Sequence, residues 1–363
     1  MTTIPRAETV GSLLRPPELL AARRWLAEGT VEPDRVRALE DSAVVAAVYV
    51  QESAGLDVIT DGEMRRGGWS VTTELLNGFE PRPGGPGLTW HGEGPELRQG
   101  RGYPTVVREV TWRRSLVDDY AFLAEHARRR TKVCVPAPSY HRRFWYAKHS
   151  AAAYPTCEQF LVAVRDLLRE EVARLVDLGC DYVQLDAPNY GSLCDADHRR
   201  RLEAAGHDLD AELAFDAALD SSLFDGLGGI TRALHVCRGN AAGRWHSTGG
   251  YDTIAEQLFP RLAVDALLLE YDSDRSGDFE PLRCVPVGVV AVLGLVTTKT
   301  GALEDERTIE ARIAEASRLK PLEELALSPQ CGFASVAVGN PVTPDEQRAK
   351  LELVGRVAHR VWR

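Results

Sequence analysis

Val287-Gly-Val-Val-Ala-Val-Leu293 carries no polar residue on either face of an extended chain. Side chains alternate across a strand, so a half-exposed strand shows polar residues at every second position. A run without them belongs to a parallel strand with helices on one side and a packed interior on the other. Working outward, runs of the same kind at Lys132–Pro136, Tyr182–Asp186, Thr231–Cys237, Ala266–Glu270, Val287–Val296 and Leu325–Ser328 alternate with helical stretches. The clearest helices are Glu158–Leu178, Asp208–Leu227, Tyr251–Leu262, Asp305–Leu319 and Pro344–Val361. Toward the N-terminus, Thr9–Leu14 and Val58–Thr60 read as two more strands, with helices from Pro16 to Glu28 and from Pro33 to Ala54, the latter closed by Gly55. Eight strands in β/α alternation is the count that closes a barrel rather than leaving an open sheet. The sequence therefore predicts an α/β fold, a single (β/α)8 TIM barrel over 1–363. Residues 67–114 break the alternation with a Pro/Gly cluster at Pro81–Gly87 and an alternating run at Val106–Trp112. They predict an irregular insertion after the second strand, over the barrel mouth.

The 363 residues allow a core of any ordinary size, and no fixed repeat or low-complexity linker divides them. A formal charge of -10, from 53 acidic and 43 basic residues, argues against nucleic acid or an anionic membrane as partner and leaves small molecules. Seven cysteines without paired spacing, and no leader-like N-terminus, fit a reducing cytoplasm. No apolar run reaches the ~18–20 residues of a membrane span. Nothing in the sequence fixes the oligomeric state.

Three motifs end apolar runs and precede turns, the place where barrel enzymes keep their chemistry. They are His235-Val-Cys237, Glu270 in Leu267-Leu-Leu-Glu-Tyr-Asp272, and Cys331 in Ser328-Pro-Gln-Cys-Gly332. His235 and Cys237, two apart, face the same side of a strand. Alone they read equally well as a core histidine and a small buried cysteine. Glu270 shifts the balance, because a carboxylate ending an apolar run costs several kcal/mol to desolvate unless it is paired or bound to metal. Together His235, Cys237, Glu270 and Cys331 offer one Zn2+ ion nitrogen, oxygen and two sulfur ligands. Cys134, Cys157, Cys180, Cys194 and Cys284 lack such company and read as small hydrophobes.

Asp186 ends Tyr182-Val-Gln-Leu-Asp186 and Glu63 follows Thr60-Asp-Gly, so both lie on the same rim. Capping the next helix is the plain role for Asp186, and neutralisation by Arg65 and Arg66 the plain fate of Glu63. Two carboxylates facing a cavity also suit the ammonium group of an amino acid, and substrate binding is the preferred reading. Lys299 and Arg244 read as solvated loop cations, and His246 beside Trp245 as a surface or lid residue.

With these motifs in view, the chain resembles the C-terminal catalytic barrel of cobalamin-independent methionine synthases over almost its entire length. In that family a His-x-Cys pair, a strand-ending Glu and a Pro-x-Cys-Gly cysteine bind zinc, which correspond here to His235, Cys237, Glu270 and Cys331. The Val-Gly-Ser segment maps to Val10-Gly11-Ser12, Gly-Glu to Gly62-Glu63, and Asp-Glu-Pro to Asp186-Ala187-Pro188. The resemblance implies that Ser12, Glu63 and Asp186 contact the amino-acid part of homocysteine. Two departures stand out. Ala187 replaces the family's glutamate, and no N-terminal barrel is expected before Met1, so the resemblance is not expected to carry over polyglutamyl folate binding. Cys237-Arg-Gly-Asn240 is also similar to the epoxyalkane:coenzyme M transferases.

The chemistry expected of this set is thiol activation. A free thiol titrates near ~8.5, and zinc coordination keeps it a thiolate. Glu270 is expected to act as an exchangeable ligand that makes way for the substrate sulfur, with Asp186 as the second catalytic carboxylate. The leading expectation is a zinc-dependent thiol alkyltransferase in methionine biosynthesis, moving a methyl group from a small donor to homocysteine. The alternatives are thiol addition to an epoxide and a non-catalytic barrel with structural zinc. A uroporphyrinogen decarboxylase-like reaction is weaker, because it leaves the histidine and two cysteines unexplained.

Overall fold

The computed structural model describes residues 4–82, 87–92, 95–99 and 103–362. Its strands are β1 (Val58–Ile59), β2 (Phe79–Glu80), β3 (Leu88–Trp90), β4 (Leu97–Gln99), β5 (Thr105–Val106), β6 (Arg130–Thr131), β7 (Val133–Pro136), β8 (Tyr182–Asp186), β9 (Thr231–Val236), β10 (Ala266–Glu270), β11 (Val290–Val296) and β12 (Leu325–Pro329). The fold is α/β around a six-stranded sheet ordered β12-β11-β10-β9-β8-β7, every neighbour pair parallel. A second parallel pair, β1 with β6, runs into this sheet, since only Lys132 separates β6 from β7. The N-terminal segment joins both ends of this arrangement. Ala7 bridges Leu327 of β12, and Glu8 bridges Val58 of β1, both in parallel.

The apolar strands bury both faces with period two. In β10, Ala266 and Leu268 belong to one apolar cluster and Leu267 and Leu269 to the other. In β11, Val290 and Val292 join the first, and Ala291, Leu293 and Leu295 the second. The smaller cluster, with Val10, Tyr182, Ala233 and Ala326, fills the space between strands. The larger one lies against helices such as Pro33–Ser53, Cys157–Asp177 and Pro344–Trp362.

Several boundaries depart from the sequence reading. β11 begins at Val290 because Gly288 turns the chain at φ 87° and Val287 is 93% exposed. The expected helix at Tyr251–Leu262 is three short turns, Tyr251–Thr253, Ala255–Leu258 and Phe259–Arg261, interrupted where Pro260 has no N–H to donate. The helix expected over Asp208–Leu227 spans Leu209–Ser222. Pairing near the N-terminus falls on Ala7 and Glu8 rather than on Thr9–Leu14.

Between β1 and β6, residues 67–114 hold a short helix, Thr72–Leu75, and two antiparallel pairs, β2 with β5 and β3 with β4. Of the Val106–Trp112 run, Val106 alone lies in a strand, β5, although Trp112 bridges Leu76. Residues 83–86 of the Pro81–Gly87 cluster lie outside the described residues. Isolated bridges from Gly68 to Val336 and from His91 to Trp245 tie the segment to the loops after β12 and β9. Among the described residues no helix is long and apolar enough to cross a membrane.

Candidate metal centre and its cavity

Strand ends on one side of the sheet supply the site. His235 lies in β9, Cys237 follows it, and Cys331 sits two residues past β12. All three are buried, and their ligating atoms lie within 4.8 Å of one another. Tetrahedral zinc, at about 2.0 Å from nitrogen and 2.3 Å from sulfur, holds such atoms under about 4 Å apart. His235 is prepared for that role. Its Nδ1 donates to the Leu268 carbonyl at 3.2 Å, which leaves the Nε2 lone pair free, and Nε2 is buried with no hydrogen-bond partner. Hydrogen bonding between the two thiols drives their pKa values apart, Cys331 far down and Cys237 far up. Such a pair shares one proton, which a divalent cation replaces. The donor set therefore fits a metal of zinc's kind.

Glu270 stands beside this cluster, not in it. Its Oε2 accepts from the Arg238 N–H at 2.7 Å, and its Oε1 from Arg275 Nη2 at 2.5 Å and Lys299 Nζ at 3.2 Å. Burial alone would raise its pKa, but Lys299, Arg275 and Arg238 outweigh it and hold the carboxyl well below the usual carboxylate range. Lys299 is thus no solvated loop cation. It is 6% exposed and shared between Glu270 and Asp272, at 3.2 Å from each. Arg244 is half-buried and donates to the Pro95 carbonyl at 3.0 Å. His246 is likewise half-buried and lines the cavity.

A second cluster combines Glu63, Asp186 and Cys134, again with ligating atoms within 4.8 Å. Cys134 is therefore more than a small hydrophobe. Its thiol donates to the Val10 carbonyl at 3.1 Å beside the two carboxylates. Glu63 sits in left-handed backbone at φ 56°, held by its N–H to Asp61 Oδ1 at 2.9 Å and by Arg15 on its carbonyl at 3.0 Å. Such strain in a non-glycine residue persists only when its surroundings enforce it. Of the two arginines expected to neutralise it, Arg66 approaches Glu63 Oε1 at 3.7 Å, whereas Arg65 pairs with Asp41 and Asp119. Glu63 Oε2 is buried without a partner. Burial raises Glu63 to about 7, with Asp186 adding to the rise, and burial raises Asp186 to about 6. Asp186 Oδ1 accepts from Gln184 Nε2 at 2.7 Å.

Both clusters open onto one cavity of about 170 Å³ that Ser12 also lines. Two glycines make room for it. A Cβ on Gly11 would meet Glu63 Oε1 at 2.8 Å, and one on Gly332 would collide with the Ser12 hydroxyl. The structure thus brings together Ser12, Glu63, Asp186, His235, Cys237 and Cys331. Sequence reasoning passed over Cys134 in the carboxylate cluster, and Arg143 and the aromatic wall of Trp69, Trp90, Tyr103 and Tyr140 in the cavity. For Trp69, Trp90 and Tyr103 the available signal was their density in the irregular 67–114 segment.

No protein-family model matches the chain. The chain is 36% identical over 362 residues to the uncharacterized protein YxjH of Bacillus subtilis, covering 99% of this chain and 95% of that one. It is 27% identical over 342 residues to a methionine synthase of Sulfurisphaera tokodaii, covering 89% and 84%. A crystal structure of a putative vitamin-B12 independent methionine synthase from Listeria monocytogenes superposes with TM-score 0.75 and 27% identity over 100% of both chains. The fold and the strand-end site thus define a class, the α/β proteins that gather thiols and carboxylates at the ends of parallel strands. Within it, the chain belongs to the cobalamin-independent methionine synthase-like family.

Proposed function

We propose that this chain transfers a methyl group to the thiol of homocysteine, giving methionine, with zinc held by His235, Cys237 and Cys331. The observation that carries this reading is the opening of that donor cluster and of Ser12, Glu63 and Asp186 onto one cavity. An amino-acid thiol needs an acceptor pair for its ammonium group and a soft cation for its sulfur. The methionine synthase name of the S. tokodaii relative supports the assignment. The bridges of Ala7 and Glu8 support an eight-stranded (β/α)8 barrel as a single domain, with 67–114 covering its mouth, and the protein is read as cytoplasmic.

Zinc bound at this site would keep an arriving thiol deprotonated and nucleophilic. The rest falls to the chain. Glu63 and Asp186 accept the ammonium group, and Asp186, fixed by Gln184, sets the orientation of the amino acid beside His235. Ser12 takes the carboxylate end. Glu270, which stands beside the donor cluster, would complete the set as an exchangeable fourth ligand on turning from its cations. Arg275, Lys299 and the Arg238 N–H compete for its oxygens, so it would yield readily to a softer thiolate.

The test is zinc-loaded protein incubated with homocysteine and a methyl donor, methyltetrahydrofolate or methylcobalamin, with products read by mass spectrometry. Coenzyme M with a small epoxide is the contrasting arm. Methionine formation, together with replacement of an oxygen by a sulfur neighbour in zinc-edge X-ray absorption on adding homocysteine, is the expected result. A thioether from coenzyme M alone, or an unchanged coordination shell, would overturn the reading.

A further inference from the structure

Glu63, Cys134 and Asp186 form a buried triad that shares no residue with His235, Cys237 and Cys331, and its thiol has no part in the methyl-transfer reading. Glu63 follows β1, Cys134 lies inside β7, and Asp186 ends β8. The Val10 carbonyl accepts from the Cys134 thiol at 3.1 Å and from Gln184 Nε2 at 2.9 Å, which fixes the thiol beside the residue that holds Asp186. Gly11 keeps the approach open. A Cβ there would lie 2.8 Å from Glu63 Oε1 and 3.5 Å from the Cys134 sulfur.

The triad is short of positive charge. Among the described residues, Arg66 is the cation within ion-pair distance of its carboxylates, 3.7 Å from Glu63 Oε1, and the same Nη1 donates to the Cys134 carbonyl at 2.8 Å. Lys132 is engaged elsewhere, its Nζ bonded to Glu8 at 2.5 Å and to Gln184 Oε1 at 2.7 Å. Glu63 is 2% exposed, and its Oε2 is buried with no hydrogen-bond partner. Two buried carboxylates facing one guanidinium, with one oxygen unmet, carry a free-energy cost that a further cation removes.

The donors select the cation. A thiol with two carboxylates suits a divalent ion of the zinc or cadmium kind, whereas magnesium and calcium take all-oxygen shells. We propose that Glu63, Cys134 and Asp186 bind a second such ion, separate from the one at His235, Cys237 and Cys331, in the place taken by the substrate's ammonium group. The competition, though not the binding, rests on the amino-acid reading of Glu63 and Asp186. On binding, the metal replaces the Cys134 thiol proton, which passes to solvent. Three protein donors leave a fourth position to water, and two cations in neighbouring sites repel each other, so this ion is held more weakly than the first and leaves on dialysis. Excess zinc thereby excludes the amino acid, and bound amino acid excludes the ion.

Cadmium titrated into the metal-free whole protein separates the two sites, with equilibrium dialysis counting ions and sulfur-to-cadmium charge transfer in the ultraviolet reporting the thiolates. The parent should take up about two ions per chain in two phases, the second at least about ten-fold weaker. Cys134→Ser should weaken that second phase at least about ten-fold more and leave the first in place, and Glu63→Gln should do the same. The retained first phase shows that each variant is folded. The Cys237→Ser/Cys331→Ser double variant should keep the weak phase. Norleucine, an amino acid with no thiol to chelate the metal, should raise the cadmium concentration that the second phase requires, and magnesium should leave it unchanged. A single phase in the parent, or a second phase that persists at full strength in Cys134→Ser or Glu63→Gln, would overturn the proposal. A second phase indifferent to norleucine that calorimetry shows to be bound would overturn the shared place. Methyl transfer fails on a different result, the absence of S-methyl product with every donor, and the cadmium titration consumes no substrate.

Discussion

Individual side chains at this site are tuned by burial, and the two clusters answer differently. His235, Cys237 and Cys331 bring soft donors together with one orphaned nitrogen, so Cys237→Ser and Cys331→Ser should each lower bound zinc to well under one ion per chain, measured by metal analysis after dialysis. Full zinc in both serine variants would remove the centre. Glu63 is a case of pH linkage. Its folded pKa is raised from the ordinary 4.5 to about 7, so the stability it contributes is present below about 4.5 and is lost as pH rises through 7. Ligand-free protein should melt at lower temperature at pH 8 than at pH 5, with Glu63→Gln flattening that slope by up to about 3 kcal/mol. The affinity for an amino-acid thiol should move the other way, rising over the same range as the carboxylate ionises to meet the ammonium group. A slope identical in Glu63→Gln and the parent would rule out Glu63 as its source. A carboxylate ending an apolar run demands a partner, and Glu270 finds its partners in cations. Arg275 and Lys299 reach it from loops after β10 and β11, proximity that no local pattern carries. Glu63 and Cys134 likewise lie far apart along the chain and meet through the pairing of β1 with β6.

Elements were legible where a period was present. Strands packed on both faces announce themselves as continuous apolar runs, and β8, β9, β10 and β12 fall within a residue of their sequence bounds. Turns that depend on backbone sign or on a missing donor were not, as the late start of β11 after Gly288 and the broken helix around Pro260 show. The loop after β12 gives the sharpest test at this scale. Gly332 lies against the Ser12 side chain and backbone, and the neighbouring Phe333 N–H donates to the Ser12 carbonyl at 2.8 Å. Gly332→Ala should push the two loops apart, costing about 1–3 kcal/mol in denaturant unfolding and weakening thiol binding while Cys331 stays in place. An unaffected protein would mean that the loops adjust freely and that Ser12 is not held by this contact.

The whole molecule is tied together at its N-terminus by a buried charge. Glu8 receives Lys132 Nζ at 2.5 Å and the Tyr182 hydroxyl at 3.0 and 3.1 Å, and Lys132 also reaches Gln184, the residue that orients Asp186. Glu8→Leu should destabilise the protein by about 3–5 kcal/mol, because it strands Lys132. Adding Lys132→Met should recover most of that loss in chemical denaturation. A double variant no more stable than Glu8→Leu would place the stability in the charges themselves. The pairing of Asp186 with His235 across β8 and β9 has a further consequence. Adjacent strands stand about 4.8 Å apart and do not flex as loops do, so under the proposed function the span between the ammonium and sulfur ends of the site would be set by the sheet. On that reading the protein would hold a ruler for thiol length. Cysteine, one methylene shorter than homocysteine, should fall short of one end and bind about 10–200-fold more weakly, by calorimetry on the zinc-loaded protein. Equal affinity for the two amino acids would show that the substrate, not the sheet, sets the measure.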